Sequence, residues 1–145
     1  MGILMSSIHP DRELRDFLTG KIMAGKTAVT VYSDWERPTN KLPDDFIVVY
    51  MNGNISGPGT KTNYAEGALS ISLYCKLNSD GSIKGNRIDK ILSQFESLVD
   101  RKVTENYFFY YEADRYITPP TPNQTSGYSI VTLNLMWHTT KNFNS

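Results

Sequence analysis

Residues 45–51 read DFIVVYM, and no other stretch limits the fold as strongly. A strand points successive side chains to opposite faces of its sheet, so a run that is apolar on both parities must be covered on both. That places 45–51 in the middle of a sheet. Residues 68–76, ALSISLYCK, alternate instead, with Leu69, Ile71, Leu73 and Cys75 on one parity. Cys75 is in phase with core residues and is read as core filler. Residues 27–33, TAVTVYS, are β-branched and alternating, and 103–112, VTENYFFYYE, form an aromatic strand. The last strand, YSIVTLNLMWH, turns Val131, Leu133, Leu135 and Trp137 inward and sets Thr132 and Asn134 on the other face.

Two stretches have helical spacing. Pro10 suits a first helical turn, Asp11 and Glu13 favour its positive end, and Leu14, Phe17 and Leu18 form an apolar stripe that stops at Gly20. Residues 86–99, NRIDKILSQFESLV, place Ile88, Ile91, Leu92, Phe95, Leu98 and Val99 on one face, with Asn86 as the cap. The order is α-β-β-β-α-β-β. Without repeated βαβ units this implies one α+β domain over 1–145, a mostly antiparallel sheet of about five strands with both helices packed on one face. Residues 53–66 are rich in glycine and 115–127 in proline, so both read as long loops. In the second, PPTP is either a stiff loop or a docking peptide, and 139–145 is a loose tail.

The chain has 15 Lys plus Arg against 15 Asp plus Glu, a formal net charge of +0, so no basic excess draws it to nucleic acid. Its start, MGILMSSIHP, lacks the basic and apolar regions of a signal peptide, and no run of about 18 apolar residues occurs. The expectation is a soluble protein made in a cytoplasm, with no membrane partner. Nine Tyr and 12% aromatic residues fit either core tyrosines with exposed hydroxyls or a surface that meets a partner.

The chemical inventory is sparse. GKIMAGKT at 20–27 matches the phosphate-loop pattern, but a phosphate loop needs a strand before it and a helix after it. Here a helical signal precedes and a strand follows, so the segment is a helix-to-strand turn using Gly20 and Gly25, with Lys26 entering the strand. Asn78, Asp80 and Ser82 alternate as in a calcium loop, but Gly81 is at the fourth position rather than the sixth. His9 and His138 are too scattered to suggest a metal site, and Cys75 has no predictable histidine partner. Asp44 and Asp45 are adjacent, point to opposite faces, and end a loop in solvent. Arg115, between Asp114 and Tyr116, reads as an interface anchor or as a surface ion pair. The expectation is a protein that is not an enzyme and takes no cofactor or metal.

The succession of a short helix, a first strand, RPTNKLPDDFIVVYMNG, a glycine-rich loop, EGALSISLYCKLNSDG and NRIDKILSQFESLV resembles the small tail-completion or tail-terminator proteins of long-tailed bacteriophages and prophages, over roughly residues 10–138. Head-to-tail joining proteins of similar size are close to it. The resemblance implies a virion structural protein assembled in the host cytoplasm. Its subunits form a homo-oligomeric ring, commonly six-fold, that caps the tail tube and meets the head connector. It implies no sequence-specific nucleic-acid binding. The two loops are then the contact regions, with Asn54, Pro58, Lys61 and Tyr64 in the first and Arg115, Tyr116, Pro119 and Pro120 in the second. The alternative from a different class is a small ligand- or peptide-binding α+β module without catalysis.

Overall fold

The computed structural model describes residues 8–56, 64–111 and 117–140. Helix α1 (Pro10–Leu18) begins on Pro10, buries Leu14 and Leu18 one turn apart, and ends before Gly20, whose φ of +81° suits a residue without Cβ. A small hairpin of β1 (Met23–Ala24) and β2 (Thr27–Ala28) follows, turning on Gly25. Then come β3 (Thr30–Ser33), a single 3-10 turn at Asp34–Glu36, β4 (Asp45–Ser56), β5 (Glu66–Lys76) and helix α2 (Gly85–Val99). The chain finishes with β6 (Lys102–Val103), β7 (Tyr107–Tyr110), β8 (Ile117–Asn123) and β9 (Tyr128–Thr139).

Apart from the hairpin, the strands form one seven-stranded sheet in the order β3-β4-β5-β9-β7-β6. Strand β9 pairs along its length with β5 on one side, and on its other side with β7 and then β8. The run 45–51 is interior, as expected, between β3 and β5. Its Ile47 and Val49 join the main core, while Phe46 and Val48 are buried on the opposite face.

The main core lies between one sheet face and the two helices. Ile88, Ile91, Phe95 and Val99 of α2 meet Leu69, Ile71, Leu73 and Cys75 of β5 and Val131, Leu133, Leu135 and Trp137 of β9. Each such side chain taken out of water contributes about 1.5–3 kcal/mol. Trp137 is fully buried, with Tyr107 edge-on to its indole at 5.6 Å. The indole also lies over Gly67, where a Cβ would come within 3.0 Å of Cζ2. Polar clamps tie the helices to the sheet, to the β1–β2 hairpin and to the turn between β6 and β7. Arg87 forms a two-pronged ion pair with Asp45, and Gln94 exchanges two hydrogen bonds with the Met23 backbone, at 2.7 and 2.8 Å. The Glu13 carboxylate accepts from the Thr104 hydroxyl and from the Asn106 backbone and side chain.

The α+β class, the two helices and their common face agree with the sequence. The sheet is larger and mixed. Strand β3 runs parallel to β4 through a crossover, residues 34–44, that uses one 3-10 turn instead of a helix, so no βαβ signal marks it. The 53–66 loop is shorter than expected, because β4 continues to Ser56. Gly53, at φ +76°, absorbs an irregularity between Asn52 and Ser56 rather than ending the strand. The proline segment is not a loop either: 117–123 form β8. An edge strand tolerates residues without an N–H, and the register shifts between Thr118 and Thr121, where Pro119 and Pro120 sit. The turn after it is closed by the Asn123 side chain, which accepts from the Thr125 and Ser126 backbones at 3.1 Å, and by Gly127 at φ +78°. The 103–112 strand is broken into β6 and β7 by a turn, and Thr139 belongs to β9; 141–145 lie outside the described residues. The cap of α2 is Lys84, which puts Asn86 inside the first turn.

Candidate assembly surface

The sheet face away from the helices is built from the second parity of the same strands. It carries Tyr32 of β3, Phe46, Val48, Tyr50 and Asn52 of β4, and Ala68, Ser70, Ser72 and Tyr74 of β5. Strand β9 adds Tyr128, Ile130, Thr132, Asn134, Met136 and His138, and β7 adds Phe108 and Tyr110. No helix among the described residues packs on it. Most of these side chains are half-buried, and charge enters the register only at the two ends of β5, with Glu66 and Lys76. Phe46, Val48, Ser70 and Ser72 are buried among the side chains around them; the half-buried remainder, rich in Tyr, Phe, Met and Ile and poor in charge at its centre, has the composition of an interface core.

Three zones follow one another along the strands. At the start of β4, Phe46 stacks on Tyr74 with ring centroids 4.6 Å apart, and Tyr128 meets Phe46 edge-on at 5.4 Å. The crossover segment folds over this cluster, held where the Tyr128 hydroxyl donates to the Pro43 carbonyl at 2.7 Å. Burial, helped by Asp44 and Asp45, pushes the Tyr128 hydroxyl pKa up, so it stays a donor. Arg37 lies over the Tyr74 ring and donates to its hydroxyl at 3.1 Å. Between crossover and sheet is a pocket of about 500 Å³, lined by Arg37, Leu42, Phe46, Tyr74, Ser126 and Tyr128 among others.

The middle zone is polar and satisfies itself. Asn52 donates to Ser70 Oγ at 3.1 Å, Ser70 donates to Asn134 Oδ1 at 2.7 Å, and Ser72 and Thr132 share a 2.8 Å bond. These groups therefore need no solvent, and a partner can cover them at little cost. At the far end Phe108, Tyr110, His138 and Tyr64 pack as a second aromatic cluster, with centroids 5.2–6.1 Å apart along the chain of contacts. At this end β5 is still paired with β4, at Ser56 and Glu66, and with β9, at Glu66 and His138.

Of the residues expected at contacts, Asn54 is exposed near the end of β4, and Tyr64, 45% exposed, donates its hydroxyl to Glu66 Oε2 at 3.0 Å. Both lie at the same end of the sheet, near the pairing of Ser56 with Glu66. Pro119 and Pro120 are exposed on β8, at a different edge of the sheet, so the structure does not gather the two groups. Pro58, Lys61, Arg115 and Tyr116 lie outside the described residues. The expectation missed Arg37, Phe46, Tyr74, Tyr110 and Tyr128. For all but Arg37 and Phe46 a signal existed, since each occupies the parity opposite a core residue in an alternating strand.

The other candidate chemistries resolve into structural roles. GKIMAGKT follows the end of α1 and forms the β1–β2 hairpin with its Gly25–Lys26 turn, so no helix N-terminus faces a phosphate there. Lys26 is an exposed turn residue just ahead of β2 rather than within it. Asp80 is engaged by Ser82 itself, whose backbone and hydroxyl both donate to Oδ1, which holds its carboxyl below the usual range. Asp45 is not in solvent: its side chain is 8% exposed and neutralised by Arg87, while Asp44 faces Lys76 at 3.7 Å. Cys75 is buried, and burial, with Asp45 nearby, raises its thiol to about 12, leaving no thiolate at neutral pH. Among the described residues no three His, Cys, Asp or Glu side chains cluster as metal ligands, and no helix is long and apolar enough to cross a membrane.

No family model matches the chain, and no curated protein matches it. A solved structure of similar length is alike over 90% of each chain, with a TM-score of 0.56 and 13% identity. At that identity the likeness shows a shared fold.

Proposed function

We propose that the chain is a virion assembly subunit, a tail terminator or tail-completion protein that forms a ring, caps the tail tube and joins it to the head connector. The observation that carries this reading is the helix-free face: half-buried aromatic and aliphatic side chains around a self-satisfied polar centre, with no helix of the described residues over them, in a chain of zero net charge. The subunit is made in the host cytoplasm and ends in the virion. Its ring contacts are heterologous, two different patches of neighbouring copies meeting until the rotation closes.

Native mass spectrometry of the purified chain over a wide concentration range, with and without polymerised tail tube, tests the proposal; negative-stain images of the same samples show whether the oligomer is closed. A closed ring in either condition is the expected result. A monomer in both conditions overturns it. The pocket of about 500 Å³ favours a second reading, a ligand- or peptide-binding module. A saturable small ligand on a strictly monomeric chain is its signature.

A further inference from the structure

The cavity at the start of β4, about 500 Å³ between the crossover segment and the sheet, has donors to spare in its wall. Its base is closed. Phe46 is 1% exposed, with the Tyr74 ring stacked parallel to it at 4.6 Å, so it shapes the base without being open to a ligand. Two hydroxyls at the cavity are already committed: Tyr128 donates to the Pro43 carbonyl at 2.7 Å, and Ser126 donates to the Asn123 carbonyl at 3.3 Å. Arg37 and Tyr74 are not. Arg37 Nη1 donates to the Tyr74 hydroxyl at 3.1 Å, and among the described residues that hydroxyl donates no hydrogen bond of its own. Arg37 Nη2 lies 3.7 Å from Asp34 Oδ1, outside hydrogen-bonding distance, and the side chain stays 35% exposed. A guanidinium and a phenol hydroxyl therefore stand side by side at the cavity, each with hydrogens left to donate.

We propose that this cavity is the site of a monocarboxylate with an apolar body. One carboxylate oxygen accepts from the Arg37 guanidinium and the other from the Tyr74 hydroxyl, while the body lies against Pro38, Leu42 and the Tyr128 ring. Charge sets the class. Arg37 is the one cation among the lining residues and Asp34 the one carboxylate, so a single negative charge is matched, whereas a phosphate dianion would face Asp34 with no second cation. The volume falls in the range, about 300–1,000 Å³, of cavities that enclose small ligands. Every group of the site comes from one chain, so the assignment goes beyond the ring and does not rest on it.

A free acid and the C-terminus of a peptide present this same chemistry, and equilibrium dialysis with both separates them. The probes are indole-3-acetate and a short peptide ending in tryptophan, each beside its neutral amide. Saturable binding of at least one acid, with its amide at least about tenfold weaker, is the expected result, and the acid that binds identifies the source. Arg37→Gln should weaken that binding at least about tenfold, and Tyr74→Phe, which keeps the ring and removes the donor, about threefold or more. Asp34→Asn removes the competing carboxylate and should tighten it. Circular dichroism of each variant confirms that it is folded. Acid and amide that bind equally, an Arg37→Gln chain that binds as the wild type does, or no saturation by either acid up to about 10 mM overturns the site. Native mass spectrometry of the same samples reads the ring separately, so either assignment can fail while the other stands.

Discussion

Along β9, Val131, Leu133, Leu135 and Trp137 point to the helices and are at most 2% exposed, while Ile130, Thr132, Asn134, Met136 and His138 point the other way and remain half-buried. The first set meets α1 and α2 in a closed core. The second includes Ile130 and Met136, yet no helix of the described residues covers it. One strand thus has two different sides: its inward parity holds the fold together, and its outward parity belongs to the face proposed to meet a neighbouring copy. A substitution on one side should therefore act on folding, and one on the other side on association.

The largest effect is expected on the covered side. Phe95 is fully buried between α2 and the sheet, and Phe95→Ala should cost about 3–5 kcal/mol, read from urea unfolding. A loss below about 1 kcal/mol would mean that the helix layer is not the core. The same side contains groups whose protonation is tied to folding. Burial, with help from Asp45, pushes the Cys75 thiol from 9.0 to about 12. Burial also pushes the Tyr107 hydroxyl from 10.0 to about 12, partly offset by the bond it accepts from the His9 backbone. Both are raised in the folded state, so the unfolded chain gives up these protons first. Stability is retained below about pH 9 and falls as the pH rises to about 12, and Cys75→Ala should move the onset up toward 10. Unfolding midpoints measured pH by pH check this, and an onset unchanged in the variant would contradict it. The smallest effect on stability is expected on the open side. Met136→Lys should change unfolding by less than about 1 kcal/mol while abolishing the oligomer seen by native mass spectrometry. A charge there that leaves assembly intact would remove Met136 from the contact.

Much of this two-sidedness is legible in the sequence. The alternation in 68–76 and 128–138 assigns the inward residues correctly, and the helical stripes of 10–18 and 86–99 find the layer that covers them. What is not legible depends on partners far apart in the chain. Glycine and proline suggested loops at 53 and 119–120, but a left-handed residue can sit in a bulge and proline can sit on an edge strand, so β4 and β8 continue where the residue types said stop. Asp45 reads as a solvent residue until Arg87 is brought to it across the domain. The Arg37 pocket combines residues from the crossover, β4, β5 and the β8–β9 turn, and no single segment announces it. Outward tyrosines, similarly, carry no local mark that separates a contact surface from a wetted one.

Methionine oxidation distinguishes the two sides in one experiment. Met136 lies on the open face, whereas Met23, 37% exposed, is on the β1 hairpin held against α2. Treating the wild-type chain with dilute hydrogen peroxide at low and high concentration, and reading each site by peptide mass spectrometry, compares them directly. If the helix-free face is the assembly surface, Met136 becomes protected as the concentration rises while Met23 reacts at the same rate throughout. Equal protection at both sites, or a Met136 rate that does not change in samples where oligomers are present, would contradict it.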